Sequence, residues 1–315
     1  MTEHLSFVTQ HFIFYVVEMM KFVFIFLSCV LFSTALGLPN QVAQISAFTQ
    51  IRCRTLFHKP TKHSQVVEAF LCGIDLPNGE IKSIFIQTSL YHLIVVSGSH
   101  LSFLILCLEL LKINSLFFKI IACCGLAFMT GFQPPIVRAL FQNLVSSLCH
   151  FFRWHWKETH KLILGSLVAL SFFPYWIDSL SFQLSLGAIL SLKAGQLLST
   201  KKVAGLNWRS AILTYLLLLP LLLGWGQLHP AGILTNLFIA PALMVALWLI
   251  SATWLVLPVA MDQCLQLMMI FLKELATVMP MSTSQTGLKT DERWFYLVLL
   301  MGGLWALQIY RERTR

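Results

Sequence analysis

Apolar runs separated by short polar joints dominate this chain. The first is Phe22–Leu38, and a polar stretch over residues 40–89 follows it. Apolar runs then come in close succession at Leu90–Leu111, Leu116–Phe132, Pro135–Phe152, Leu162–Ile177, Leu180–Leu198, Ala211–Trp225, Ala231–Leu257, Leu265–Pro280 and Trp294–Tyr310. A helix needs about 20 apolar residues to cross a bilayer, and most runs approach that length. The pattern predicts an all-α, polytopic integral membrane bundle of about ten spans, one or more of them broken or re-entrant. Ala231–Leu257 is long and carries Pro241. Proline removes a helical N–H and crowds the preceding turn, so a kink or break is expected there. Short or interrupted spans mark substrate paths in many transporters.

The runs divide the chain into three parts. Residues 1–39 are a membrane span or a signal-like segment. Met20-Lys21 ahead of an apolar stretch has the form of a signal peptide, which makes Met20 an alternative start to Met1. An uncleaved first span is the preferred reading. Residues 40–89 hold Arg52, Arg54, Lys59, Lys62 and the turn signal Pro77-Asn78-Gly79. They are expected outside the bilayer, partly as an amphipathic helix on its surface. Residues 90–315 form the main membrane domain.

Composition agrees. The chain is 57% hydrophobic and 11% charged, against roughly 25% charged in a soluble domain. The net charge of +9 reads first as topology. With the N-terminus cytoplasmic, the cytoplasmic joints hold Lys112, then Arg153, Lys157 and Lys161, then Lys201, Lys202 and Arg209, and finally the tail Arg311, Arg313 and Arg315. The opposite joints near Gln133, Asp178 and His229 hold no Lys or Arg, and Lys289 and Arg293 are balanced by Asp291 and Glu292. This is the positive-inside pattern, with Arg153, Lys157, Lys201, Lys202 and Arg209 as a cytoplasmic basic face. Trp154, Trp156, Trp208 and Trp294 flank charged residues at run ends, as interfacial anchors do. The Arg153–Lys157 stretch has the alternative of clamping a single nucleic-acid strand. Of the eight cysteines, Cys53 and Cys72 fall in the polar segment. They would pair if it faces an oxidising compartment.

Polar residues inside apolar runs carry the candidate chemistry. Arg138 lies one turn into its run. It either snorkels to the interface or faces inward as a cation for an anionic substrate. His92, Ser97, Gly98, Ser99 and His100 interrupt another run. The two histidines, eight apart, fall near one helical face. Small-residue helix packing is the alternative use of this stretch. Gln183, Ser185 and Asn236 either bond another helix or a substrate. No third ligand stands near the histidines, so no metal site is expected. Walker A, Rossmann, HExxH and G-x-S-x-G patterns are absent, and no enzyme or cofactor is expected.

Taken together, these interruptions resemble the competence domain of the ComEC-type family, inner-membrane channels for transforming DNA. The family's HLLAVSGLHV helix stands here as His92-Leu93-Ile94-Val95-Val96-Ser97-Gly98-Ser99-His100-Leu101, preceded by Ala69-Phe70-Leu71-Cys72-Gly73. G-F-x-P-S-x-x-R-A is Gly131-Phe132-Gln133-Pro134-Pro135-Ile136-Val137-Arg138-Ala139. D-x-x-F-Q-L-S-x-x-A is similar to the stretch Asp178–Ala188, and G-x-x-x-N-x-x-x-x-P is Gly232 through Asn236 to Pro241. Ser99 stands for a usual Leu and Pro135 for a usual Ser. The blocks keep family order across roughly residues 66–260.

The resemblance implies a multi-pass protein of the bacterial inner membrane that passes single-stranded DNA to the cytoplasm during natural transformation. It covers the channel core alone, so residues 90–315 read as a competence-type channel domain. Arg138 would supply fixed charge, with His92, Ser97, His100, Gln183, Ser185 and Asn236 offering neutral hydrogen bonds. Gly98 and Ser99 would let the path open. The implied partners are single-stranded DNA, membrane lipid, a cytoplasmic helicase-like ATPase or DNA-binding protein, a separate nuclease and a periplasmic DNA-binding protein. The alternatives are a non-conducting scaffold subunit of an uptake complex and a small-anion transporter.

Overall fold

The computed structural model describes residues 38–95, 97–113, 115–154, 156–198, 208–222, 232–278 and 289–313. Among these residues the fold is all-helical, with no strand. The N-terminal run therefore lies outside the described residues, apart from its last residue.

Four helices occupy the polar segment and its edge: α1 (Leu38–Phe57), α2 (Ser64–Cys72), α3 (Glu80–Gln87) and the single turn α4 (Tyr91–Ile94). Helix α1 turns polar atoms inward. Thr49 Oγ1 donates to the Phe128 carbonyl at 2.7 Å, and Gln50 Nε2 donates to the Cys72 and Gly73 carbonyls at 3.0 and 3.2 Å. Its Ile45, Phe48, Ile51 and Leu56 are exposed. Arg52 and Arg54 are exposed beside them, while Cys53 and Phe57 are buried, so the outer face of α1 mixes apolar and basic side chains. Asp75 fastens the α2–α3 loop to α4. Partial burial pushes its carboxyl up, but hydrogen bonds from Lys82 Nζ at 2.8 Å and from the Tyr91 hydroxyl outweigh burial and hold it below the usual carboxylate range.

A disulfide joins Cys53 of α1 to Cys72 of α2, with the Cα atoms 5.7 Å apart at a sequence separation of 19. A bridge over a loop of this size stabilises by about 3 kcal/mol. Cys72→Ser is expected to lower the melting temperature of the solubilised protein. Maleimide labelling of the denatured chain should gain two sites on reduction; an equal count before and after would show that the bridge does not form.

The remaining helices are α5 (Gly98–Leu110), α6 (Leu116–Met129), α7 (Pro134–Phe151), α8 (Glu158–Phe172), α9 (Leu180–Leu198), α10 (Trp208–Leu222), α11 (Ala240–Thr253), α12 (Pro258–Thr277) and α13 (Thr290–Arg313). A 3₁₀ turn, Pro174–Asp178, links α8 to α9. Helical residues 232–234 and a π-helical turn, Thr235–Ile239, lead into α11. The π turn ends just ahead of Pro241, where the missing N–H disturbs the regular ladder.

Two large buried cores result among the described residues, beside a smaller cluster around Val145 of α7 and Leu164 of α8. One is shared by α1–α4 with α11 and α12, around Phe70, Phe85, Leu90, Trp254 and Leu265. The other belongs to α5–α10 and α13, around Leu101, Ile136, Leu162, Phe182 and Leu297. Trp248 of α11 packs on both. Helix ends are pinned by hydrogen bonds. Trp294 Nε1 at the start of α13 donates to the Ile177 carbonyl at 2.7 Å, and Gln308 Nε2 near its end donates to Thr159 Oγ1 at 3.1 Å. Helix α13 is thus antiparallel to α8.

One expectation changes. Leu90–Leu111 is divided between α4 and α5, because the backbone is extended at Val95 and Ser97. Serine and glycine favour a cap over a helix interior. The break takes His92 and His100 off a common helical face: His92 is exposed and His100 is buried. Among the described residues, one helix, Thr235–Thr253, is long and apolar enough to cross a membrane by length and composition. Gly98–Leu110, Leu116–Met129 and Ile212–Leu222 are apolar but shorter.

Candidate functional site

Three helices converge on Arg138. Pro134 and Pro135 open α7, where a missing N–H costs nothing, and set Arg138 one turn inside. Its side chain is buried. Nε donates to Ser185 Oγ of α9 at 2.9 Å, and Nη1 donates to Gln142 Oε1, one turn further along α7, at 3.0 Å. Gly98 of α5 covers the guanidinium. A Cβ there would lie 3.2 Å from Ala139 Cβ and 3.4 Å from Arg138 Nη2. Ion pairs lie elsewhere, among them Arg54–Glu68, Lys82–Asp75, Lys119–Glu109, Lys161–Glu158 and Lys273–Glu80. Arg138 is thus a buried cation held by two neutral acceptors. A charge so placed is costly unless an anion joins it, and a guanidinium's planar fork suits phosphate or carboxylate.

The cap of α5 lies beside this cation. The Ser97 N–H donates to His100 Nδ1 at 3.2 Å, and Ser97 Oγ contacts Ser99 Oγ and His100 Nδ1. An acceptor Nδ1 puts the neutral ring's proton on Nε2. Nε2 is buried and has no partner among the described residues. The ring packs 4.6 Å from Phe70 and 6.3 Å from Trp248.

Other sequence candidates are placed apart. His92 Nδ1 bonds the Ser89 carbonyl at 3.1 Å on the exposed side. Gln183 is fully buried; its Nε2 donates to the Ile177 carbonyl at 2.8 Å, and its Oε1 has no partner among the described residues. Asn236 lies in the π turn, with Nδ2 donating to the Gly232 carbonyl at 2.7 Å and Oδ1 likewise unpartnered. Thr235 Oγ1 ties that turn to the Thr88 carbonyl at 3.0 Å. The structure therefore joins Gly98, Arg138 and Ser185, sets Ser97, Ser99 and His100 next to them, and leaves His92, Gln183 and Asn236 at separate joints. Of the basic face, Arg153 is exposed beyond α7, Lys157 precedes α8 and Arg209 is in α10. Lys201 and Lys202 lie outside the described residues. The Trp154 and Trp156 rings stack at 5.4 Å, and Trp156 is buried against Val145 and Leu164 in place of lying at an interface.

Sequence reading missed Gln142. Its signal was its position four residues after Arg138, which puts both on one helical face. It also missed Gly165 of α8, where a Cβ would lie 2.6 Å from Gln142 Cα. Among the described residues no group of three or more His, Cys, Asp or Glu is placed to hold a metal.

The competence protein family matches residues 78–313. An uncharacterized protein of Aquifex aeolicus (strain VF5) is 30% identical over 186 residues, which make up 55% of this chain and 43% of that protein. The chain thus spans less than half the length of that relative. No solved structure matches the chain.

Proposed function

Given that this chain belongs to the competence protein family, and so to DNA uptake, we propose that it is the channel core that passes one strand of DNA through the inner membrane into the cytoplasm. The observation that carries this reading is the buried Arg138 with neutral partners, at the junction of three helices. A passing phosphate supplies the missing counter-charge. Ser185 and Gln142 position the guanidinium without neutralising it. One cation with neutral surroundings also holds a phosphate weakly enough to release it, as conduction requires.

The multi-pass reading is supported by the outer surface. Phe117, Phe151, Val256, Phe271, Phe295 and Trp305 are all more than half exposed, and an apolar exterior of this kind suits lipid. At about 1.5 Å per residue the 13 residues of α5 reach only about 20 Å, short of a bilayer core of about 30 Å. On this reading the α4–α5 break falls within the membrane. Irregular backbone at that depth is tolerated where it lines a wet cavity or is buried in protein. Ser99 is exposed there and Ser97 partly so, which makes the α5 cap the wet side of the path. Arg153, Lys157 and Arg209 would face the cytoplasmic motor that draws the strand in.

The test is gene deletion in the source bacterium, followed by nuclease-protected uptake of labelled donor DNA. Loss on deletion and return on complementation support the channel. Normal uptake after deletion in a competent strain overturns it. Small-anion flux through the reconstituted chain with no DNA passage would replace it with the transporter reading. Rescue by a chain altered together at His92, Arg138 and Gln183 would replace it with the scaffold.

A further inference from the structure

A second polar feature lies one turn beyond Arg138, at the start of α7. A cavity of about 290 Å³ opens where α1 passes the loop into α7 and the 3₁₀ turn after α8. Ser46, Gln50, Gln133, Phe173, Tyr175 and Trp176 line it, and no carboxylate does. Its volume sits near the lower end of small-molecule sites, about 300 Å³.

The aromatic side of the cavity is ordered by stacking. Trp176 lies on Phe173 with centroids 4.1 Å apart and planes 18° from parallel. Phe182 backs Trp176 at 6.4 Å. Both Phe173 and Trp176 are buried, so they form a fixed floor. Tyr175 stands edge-on to Trp176 at 5.9 Å and is 61% exposed. A large aromatic ring is thus presented at the rim of a site whose other rings are immobilised.

The amide side is equally fixed. Gln133 Nε2 donates to the Gly73 carbonyl at 2.9 Å, and Gln50 Nε2 donates to the same carbonyl at 3.2 Å. One backbone turn therefore orients both amides. Gln133 also caps α7, whose first two residues are Pro134 and Pro135, so that helix end brings no N–H group of its own and the cation nearest the cavity along α7 is Arg138. From Gln133 to Arg138 the helix rises only about 7.5 Å.

Stacking rings, oriented neutral amides and no carboxylate match a nucleobase better than a lipid tail or a peptide. We propose that this cavity receives one unpaired base of the incoming strand, stacked on Tyr175 above the Phe173–Trp176 floor, and hands the following phosphate to Arg138. The proposal rests on the DNA-channel reading and names its first subsite. Stacking serves any base, so recognition there is sequence-tolerant.

The test uses the full chain in lipid nanodiscs and fluorescence anisotropy with two labelled probes, oligothymidylate and an abasic oligonucleotide of equal length. The intact protein should prefer oligothymidylate. Tyr175→Ala should weaken oligothymidylate binding roughly 5- to 100-fold and leave the abasic probe unchanged. Tyr175→Phe should keep the preference, which separates stacking from loss of fold. An intact protein without base preference, or a Tyr175→Ala protein that retains it, overturns the subsite while the channel reading stands. Binding of neither probe by the intact protein overturns both.

Discussion

Replacing Arg138 with alanine should cut single-strand import by about 10- to 100-fold at unchanged membrane abundance, because hydrogen bonds to a charged group contribute about 1.5–3 kcal/mol. The split between activity and abundance follows from its surroundings. Removing one member of a buried ion pair strands the other charge and destabilises strongly. Arg138 has only Ser185 Oγ and Gln142 Oε1 as hydrogen-bond acceptors among the described residues, so its removal strands no charge. Arg138→Lys should fall between wild type and alanine. A lysine keeps the charge but cannot reproduce the fork that reaches two acceptors from Nε and Nη1. Nuclease-protected label gives import, and an immunoblot of the membrane fraction gives abundance. Import at the wild-type level in Arg138→Ala would remove this residue from the path.

The largest loss of stability is expected at Gly165. An added Cβ would stand 2.6 Å from Gln142 Cα and 2.7 Å from Gln142 N. Those atoms are helix backbone, so α7 and α8 must separate. Overpacking a core costs about 1–3 kcal/mol, and more where backbone has to move. In lipid the penalty is felt in full, because helices there associate through close packing at small residues. Gly165→Val should therefore deplete the protein from the membrane and lower its melting temperature. Gly125→Ala is the control, since a Cβ there has nothing within 4 Å. Equal abundance for both variants would show that the α7–α8 contact is looser than this geometry requires.

Much of the helix layout was readable from hydrophobic runs. Leu180–Leu198 is a helix with those bounds, and Pro135–Phe152 is displaced by one residue as Pro134–Phe151. Run length, however, records composition and not backbone angles. In Leu90–Leu111 the polar interruption at Ser97-Gly98 was visible, but not that it divides the run into two helices. Residues 40–89 read as polar because they carry Arg52, Arg54, Lys59 and Lys62. Within them Arg52 and Arg54 are exposed, while Thr49 and Gln50 bond carbonyls of α6 and the end of α2, a division that only tertiary structure shows. Arg138 and Ser185 were both visible as polar residues in apolar runs. Their meeting was not, since helical periodicity fixes faces within one helix and says nothing of which helix lies opposite.

The core around α1–α4 has an implication for the order of synthesis. Trp254 Nε1 donates to the Phe57 carbonyl across 197 residues, and the His63 N–H donates to Asp262 across 199. The helices made first are thus covered by helices made late. A nascent chain halted before α11 would lack the side of this core that α11 and α12 supply, Trp254 and Leu265 included. Two fragments divided between α10 and α11 should then restore uptake only when made together, each supplying one side of the same core.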